Sequence, residues 1–115
     1  MKITAALPQK IKVSDTDLCV LLSNALENAI HATAPFAEAG EECLISVQLF
    51  EKGGKVFLQV MNPSKETVRL KKGIPVSEHP GHGFGVQSIC AIVERYHGVV
   101  AFLQENGNFI LRLSI

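Results

Sequence analysis

The sequence predicts an α+β fold, with helices layered on one face of a largely antiparallel sheet. Three observations carry this. Helical periodicity appears at about 15–33 and again at about 84–97. Two strand pairs flank the tight-turn signals Gly53-Gly54 and Asn106-Gly107. The order is strands, helix, hairpin, loop, helix, hairpin, which is the α+β arrangement.

Residues 2–13 hold short apolar pieces around Leu7-Pro8 and read as one or two short strands. Ser14 then offers a helix cap, with Asp17 three residues on as in a capping box. Leu18, Leu21, Leu22, Ala25 and Ala29 follow at helical spacing. Ala34-Pro35 is expected to break that helix, and Phe36–Gly40 to add a short helical turn.

Residues 43–51 and 55–61 read as a hairpin. Residues 62–81 carry prolines, glycines and the basic residues Arg69, Lys71 and Lys72, with no periodicity. They read as a long loop, and long loops in compact domains are functional or disordered. The second helix would bury Val86, Ile89, Cys90 and Val93. It would end with Gly98 at C′, after His97. Residues 99–105 and 108–115 close the chain as a hairpin on a type I′ turn.

The chain has 115 residues, so one domain is expected, with enough core to need no staples. Lys+Arg and Asp+Glu both number 11. A nucleic-acid binder or membrane-surface domain is usually basic, which argues against both. Cys19, Cys43 and Cys90 are odd in number and show no Cys-x-x-Cys spacing, which disfavours a disulfide framework or zinc site. Their apolar contexts suggest buried, reduced thiols and a cytoplasmic setting. No apolar run approaches ~18 residues, and the N-terminus has no signal-peptide pattern.

Two features carry chemistry. In "NALENAIHA", Asn24, Asn28 and His31 share a helix edge beside the apolar stripe, displaced from it by roughly 110–120°. An amide oxygen is a neutral hard ligand, suited to a magnesium ion that keeps its waters and meets substrate phosphates. An imidazole there would contact a phosphate oxygen. The same pattern also suits a solvated helix face, or asparagines bonded to a neighbouring loop. The second feature is Gly81-x-Gly83-x-Gly85 at the mouth of a helix. Glycines permit close backbone approach and positive φ, and helix N-terminal amides favour anions. It is neither a dinucleotide fingerprint nor a P-loop.

Taken together, "LLSNALENAIHA", "GHGFGVQSICAIVERYHG" and the ending "GNFILRLSI" resemble the N box, the G2 box and the last strand of the GHKL, or Bergerat-fold, ATP-binding domain. Among its branches, the chain looks most like the catalytic and ATP-binding domain of bacterial sensor histidine kinases. The resemblance runs from about Leu7 to Ile115. It implies a two-layer α/β sandwich over 1–115, with the N box at about 18–32, the ATP lid at about 63–80 and the G2 box at 81–85.

The resemblance implies ATP and magnesium as cofactors, with the metal on Asn28. Asn24 falls by the phosphates or the metal's water shell, and His31 near the phosphates. Gly81, His82, Gly83, Phe84 and Gly85 match the G2 loop, which passes close to the phosphates. Lys71, Lys72 and His79 could reach phosphate oxygens from the lid, which equally suits a solvated basic loop. Most members carry Asp-x-Gly where this chain has Asn62-Pro63-Ser64. Asn62 can accept the adenine amino hydrogen without charge assistance. No clear F-box phenylalanine appears in the lid. Gyrase-like ATPases place a water-activating glutamate where this chain has Asn24, so transfer to a protein histidine fits better than hydrolysis.

The implied partners are a histidine-bearing dimerisation domain outside this chain and, indirectly, a response regulator. No nucleic acid or direct membrane contact is implied. The domain would be the cytoplasmic part of a membrane-bound sensor. None of His31, His79, His82 and His97 matches a phosphoacceptor. The altered Asn62 position also allows a degenerate GHKL module that regulates a partner with weak or no nucleotide binding. The functional reading of the motifs requires Asn24, Asn28, Asn62 and Gly83 to line one cleft between the helix layer and the lid.

Overall fold

A computed structural model describes residues 1–65, 70–75 and 84–115. Strand β1 (Lys2–Ala6) precedes helix α1 (Asp15–Glu38). Strands β2 (Ser46–Lys52) and β3 (Lys55–Pro63) form a hairpin on Gly53 and Gly54, both at positive φ. A small hairpin follows, β4 (Leu70–Lys71) with β5 (Ile74–Pro75). Helix α2 (Phe84–Arg95) leads to β6 (Val99–Glu105) and β7 (Asn108–Ser114).

The main sheet has the order β1-β2-β3-β7-β6. Only the β1–β2 pair is parallel, and the rest of this sheet is antiparallel. In β3 the side chains at 56, 58, 60 and 62 are buried and those between them are half-buried. Cross-strand register carries that face on to Leu111 and Leu113 of β7 and Phe102 of β6. Leu21, Ala25 and Ala29 of α1 and Val86, Ile89, Ile92 and Val93 of α2 join the same core. Leu21, Leu58 and Ile89 are at most 1% exposed. Each such side chain contributes about 1.5–3 kcal/mol by leaving water. One apolar sheet face covered by two helices is the expected two-layer α+β fold.

Several local expectations are corrected. Helix α1 does not break at Ala34-Pro35 but runs on to Glu38. Pro35 stands late in the helix, where its missing N–H costs one helical bond. The end is held instead by Ala39 N–H to Pro35 O and Glu41 N–H to Phe36 O. Residues 62–81 are not one featureless loop. Strand β3 extends to Pro63, and the β4–β5 hairpin turns on Lys72 and Gly73, with φ of 54° and 77°.

The thiols also differ from expectation: Cys19 and Cys43 are exposed and Cys90 is half-buried. Burial raises the Cys90 thiol above its usual pKa. At the end of α2 the left-handed residue is His97, with φ of 55°, and Gly98 is not left-handed. Gly98 N–H donates to Val93 O and His97 N–H to Glu94 O, a Schellman arrangement with His97 at C′.

The N-terminus of α1 is built more elaborately than a capping box. Ser14 Oγ accepts from Asp17 N–H at 3.1 Å, as expected. The Asp17 carboxylate, however, turns away to α2's end. It accepts from Tyr96 Oη at 2.6 Å and from Arg95 Nη1 at 2.9 Å. Tyr96 Oη in turn accepts from Ser14 N–H at 3.1 Å. The start of α1 and the end of α2 are thereby tied together, which fixes how the two helices lie beside each other.

Candidate functional site

Helix α1 places Asn24 and Asn28 beside its buried Leu21-Ala25-Ala29 stripe, and both asparagines are half-buried. They are neither core residues nor fully solvated. His31, next on the same edge, is exposed, and its Nε2 lies 3.9 Å from Glu27 Oε1.

Asn24 meets α2. A Cβ built on Gly85 would stand 3.2 Å from Asn24 Oδ1. Gly85 lies within α2, one residue after Phe84, and has no positive φ. Of the two properties that glycine offers here, close approach and positive φ, Gly85 uses the first. The absence of a side chain is what lets α2 approach the Asn24 amide.

Asn62 comes from the strand beneath α1. It continues the inward alternation of Val56, Leu58 and Val60, yet it is polar and only 2% exposed. Its Nδ2 donates to Pro63 O at 3.0 Å. The chain then leaves the sheet at Ser64, whose N–H donates to Gly107 O at 2.9 Å. Lys65 follows, paired with Glu41 Oε1 at 2.8 Å and 4.9 Å from the Phe36 ring centroid. No local pattern reports this anchorage of 63–65, because its partners are remote along the chain.

Lys71 and Lys72 lie exposed on the β4–β5 hairpin, Lys72 at its tip. Gly81, His82, Gly83 and His79 lie outside the described residues, as does the side chain of Phe84. Of the residues expected to line one cleft, Asn24 meets Gly85 across the helix pair, Asn28 stands one turn further along α1, and Asn62 lies on the strand packed against α1.

The donor set bears on the metal. Among the described residues no group of three or more His, Cys, Asp or Glu side chains could hold a metal ion. The Asn28 amide is a single neutral oxygen donor. That suits magnesium arriving with waters and nucleotide phosphates, and does not suit a resident ion caged by protein.

The sequence model of the GHKL domain family matches residues 13–115, and the chain belongs to that family. No curated protein matches it. Its fold is similar to solved histidine kinase domains. The nucleotide-free catalytic domain of histidine kinase ThkA superposes with a TM-score of 0.72 at 18% identity, covering 99% of this chain and 78% of that one. A mycobacterial sensor histidine kinase, MprB, gives a TM-score of 0.72 at 12% identity, with 99% and 80% covered. The histidine kinase AdeS of Acinetobacter baumannii gives 0.66 at 11% identity, and there the match spans 53% of the longer chain.

Among the described residues no helix is long and apolar enough to cross a membrane.

Proposed function

We propose that the chain is the ATP-binding catalytic domain of a two-component sensor histidine kinase. The whole of 1–115 is one domain, with the N box at about 18–32, the lid at about 63–80 and the G2 box at 81–85. The observation that carries the reading is the approach of Gly85 to Asn24, which brings the two motif-bearing helices together at one polar point. The family membership and the half-buried Asn28 one turn along support it further.

In this reading Asn28 holds magnesium through its amide oxygen, and Asn24 orders the water shell or phosphates beside it. When bound, the magnesium neutralises phosphate charge. Asn62 accepts the adenine amino hydrogen from its buried place on β3. His31, Lys72 and the residues 81–85 lie toward the phosphates.

The γ-phosphorus–oxygen bond to ADP breaks and a phosphorus–nitrogen bond forms to a histidine on a dimerisation domain outside this chain. The amide of Asn24 cannot act as a base for water, so positioning is the domain's contribution. A response regulator receives the phosphoryl group later. The domain works in the cytoplasm, as part of a membrane-bound sensor, without nucleic acid or direct membrane contact.

The test is titration of the purified chain with a non-hydrolysable ATP analogue, with and without magnesium, beside an Asn28→Ala variant. Binding that needs magnesium and fails in the variant is expected. No binding at millimolar nucleotide would overturn the reading in favour of a degenerate module that regulates a partner by contact.

A further inference from the structure

The Asn62 amide has a neighbour that dictates its orientation. Pro63 C=O and Ser64 N–H belong to one planar peptide and point in opposite directions. The Ser64 N–H is held by Gly107 O at 2.9 Å. Gly107 is itself fixed in a tight turn, with φ of 78° after Asn106 at 51°. The proline ring fixes φ on the other side. The Pro63 carbonyl is therefore clamped, and it accepts from Asn62 Nδ2 at 3.0 Å.

An amide oxygen turned toward that carbonyl would set two acceptors face to face with no hydrogen between them. So only the NH2 end fits there, and Oδ1 is left to point away from Pro63. A carboxylate has no hydrogen to offer in either orientation. At a position 2% exposed it would also be badly hydrated. In the sheet, the register neighbour of Asn62 is Phe109, whose side chain is apolar.

We propose that the Pro63 carbonyl is a positioning group for Asn62, and that it makes an amide, not the aspartate most of the family carries, the side chain this site requires. The positioning stands without nucleotide. That the oriented Oδ1 then meets an adenine base rests on the function proposed above.

The test compares the whole chain with Asn62→Asp and Asn62→Leu, first by thermal melting without nucleotide. N62D is expected to melt below N62L, although aspartate is the closer mimic of asparagine in shape, or to stay unfolded where N62L folds. N62D melting at or above the wild type overturns the proposal. In the unmutated chain, hydrogen exchange followed by NMR should show one Nδ2 hydrogen of Asn62 protected. Two freely exchanging hydrogens overturn it even if neither variant folds.

Titration with a non-hydrolysable ATP analogue and magnesium then separates the two ideas. N62D is expected to bind roughly tenfold more weakly than the wild type, the size of one unpaired polar group. Tighter binding by N62D overturns the proposal. If the wild type binds no analogue while the melting order holds, the nucleotide reading fails and the positioning role stands.

Discussion

Gly85 and Asn24 meet at a distance that leaves no room for a methyl group without movement: a Cβ would sit 3.2 Å from the Asn24 Oδ1. Gly85→Ala therefore sets two effects against each other. Alanine in a helix gains about 0.5–1 kcal/mol over glycine. The contact costs a few tenths of an ångström of side-chain movement at Asn24. Stability is expected to change by less than about 1 kcal/mol, because the gain and the displacement offset each other. Nucleotide-analogue affinity is expected to fall several-fold, because the displaced group is the amide itself. A melting curve and a titration on the same sample check this. A parallel loss of both would make Gly85 a packing residue only.

Tyr96 and Asp17 lie 79 residues apart in sequence and 2.6 Å apart in space. The Tyr96 hydroxyl is the largest cause that lowers the Asp17 carboxyl below its usual 3.8, with Ser14 and Arg95 helping. A carboxyl with a lowered folded pKa adds stability above its unfolded value. That stability is lost as pH falls through the lower folded value. Tyr96→Phe is expected to lower the melting temperature at neutral pH. The gap from wild type should narrow as pH drops below 3.8. An NMR titration of Asp17 should show its carboxyl move back up in the variant. An unmoved Asp17 would place the latch in Arg95 instead.

The parts of the fold that were legible in the sequence are those decided locally. Asn106-Gly107 predicts a type I′ turn, and both residues have positive φ. The α1 stripe is periodic, and Leu21, Ala25 and Ala29 are buried as the period requires. What was not legible depends on distant partners. Pro35 reads as a break, yet the helix continues because Phe36 and the following turn are held by Glu41 and by Lys65 across the chain. Cys19 sits among apolar neighbours in sequence but faces outward from α1. The candidate site divides the same way. Asn24 and Asn28 announce themselves by four-residue spacing. The clamp on Asn62 runs through Ser64 and Gly107, and no local pattern reports it.

The end of α2 offers a prediction in which adjacent residues respond in opposite directions. His97 occupies the left-handed region that usually selects glycine, with φ of 55°. A non-glycine residue there costs about 1 kcal/mol, so His97→Gly is expected to stabilise the chain by roughly that amount. Gly98 has ordinary φ but no space. A Cβ there would stand 2.1 Å from the Ser114 carbonyl oxygen and 2.7 Å from Ile115 Cγ2. The nearer atom is backbone of the last strand, so no side-chain rotation relieves the clash. Gly98→Ala is expected to cost about 3 kcal/mol or more, as overpacking of a rigid contact does. Denaturant melts of both variants decide it. A stabilising G98A would mean that β7 can shift away from α2, and a destabilising H97G would give the His97 side chain a contact worth more than the backbone strain.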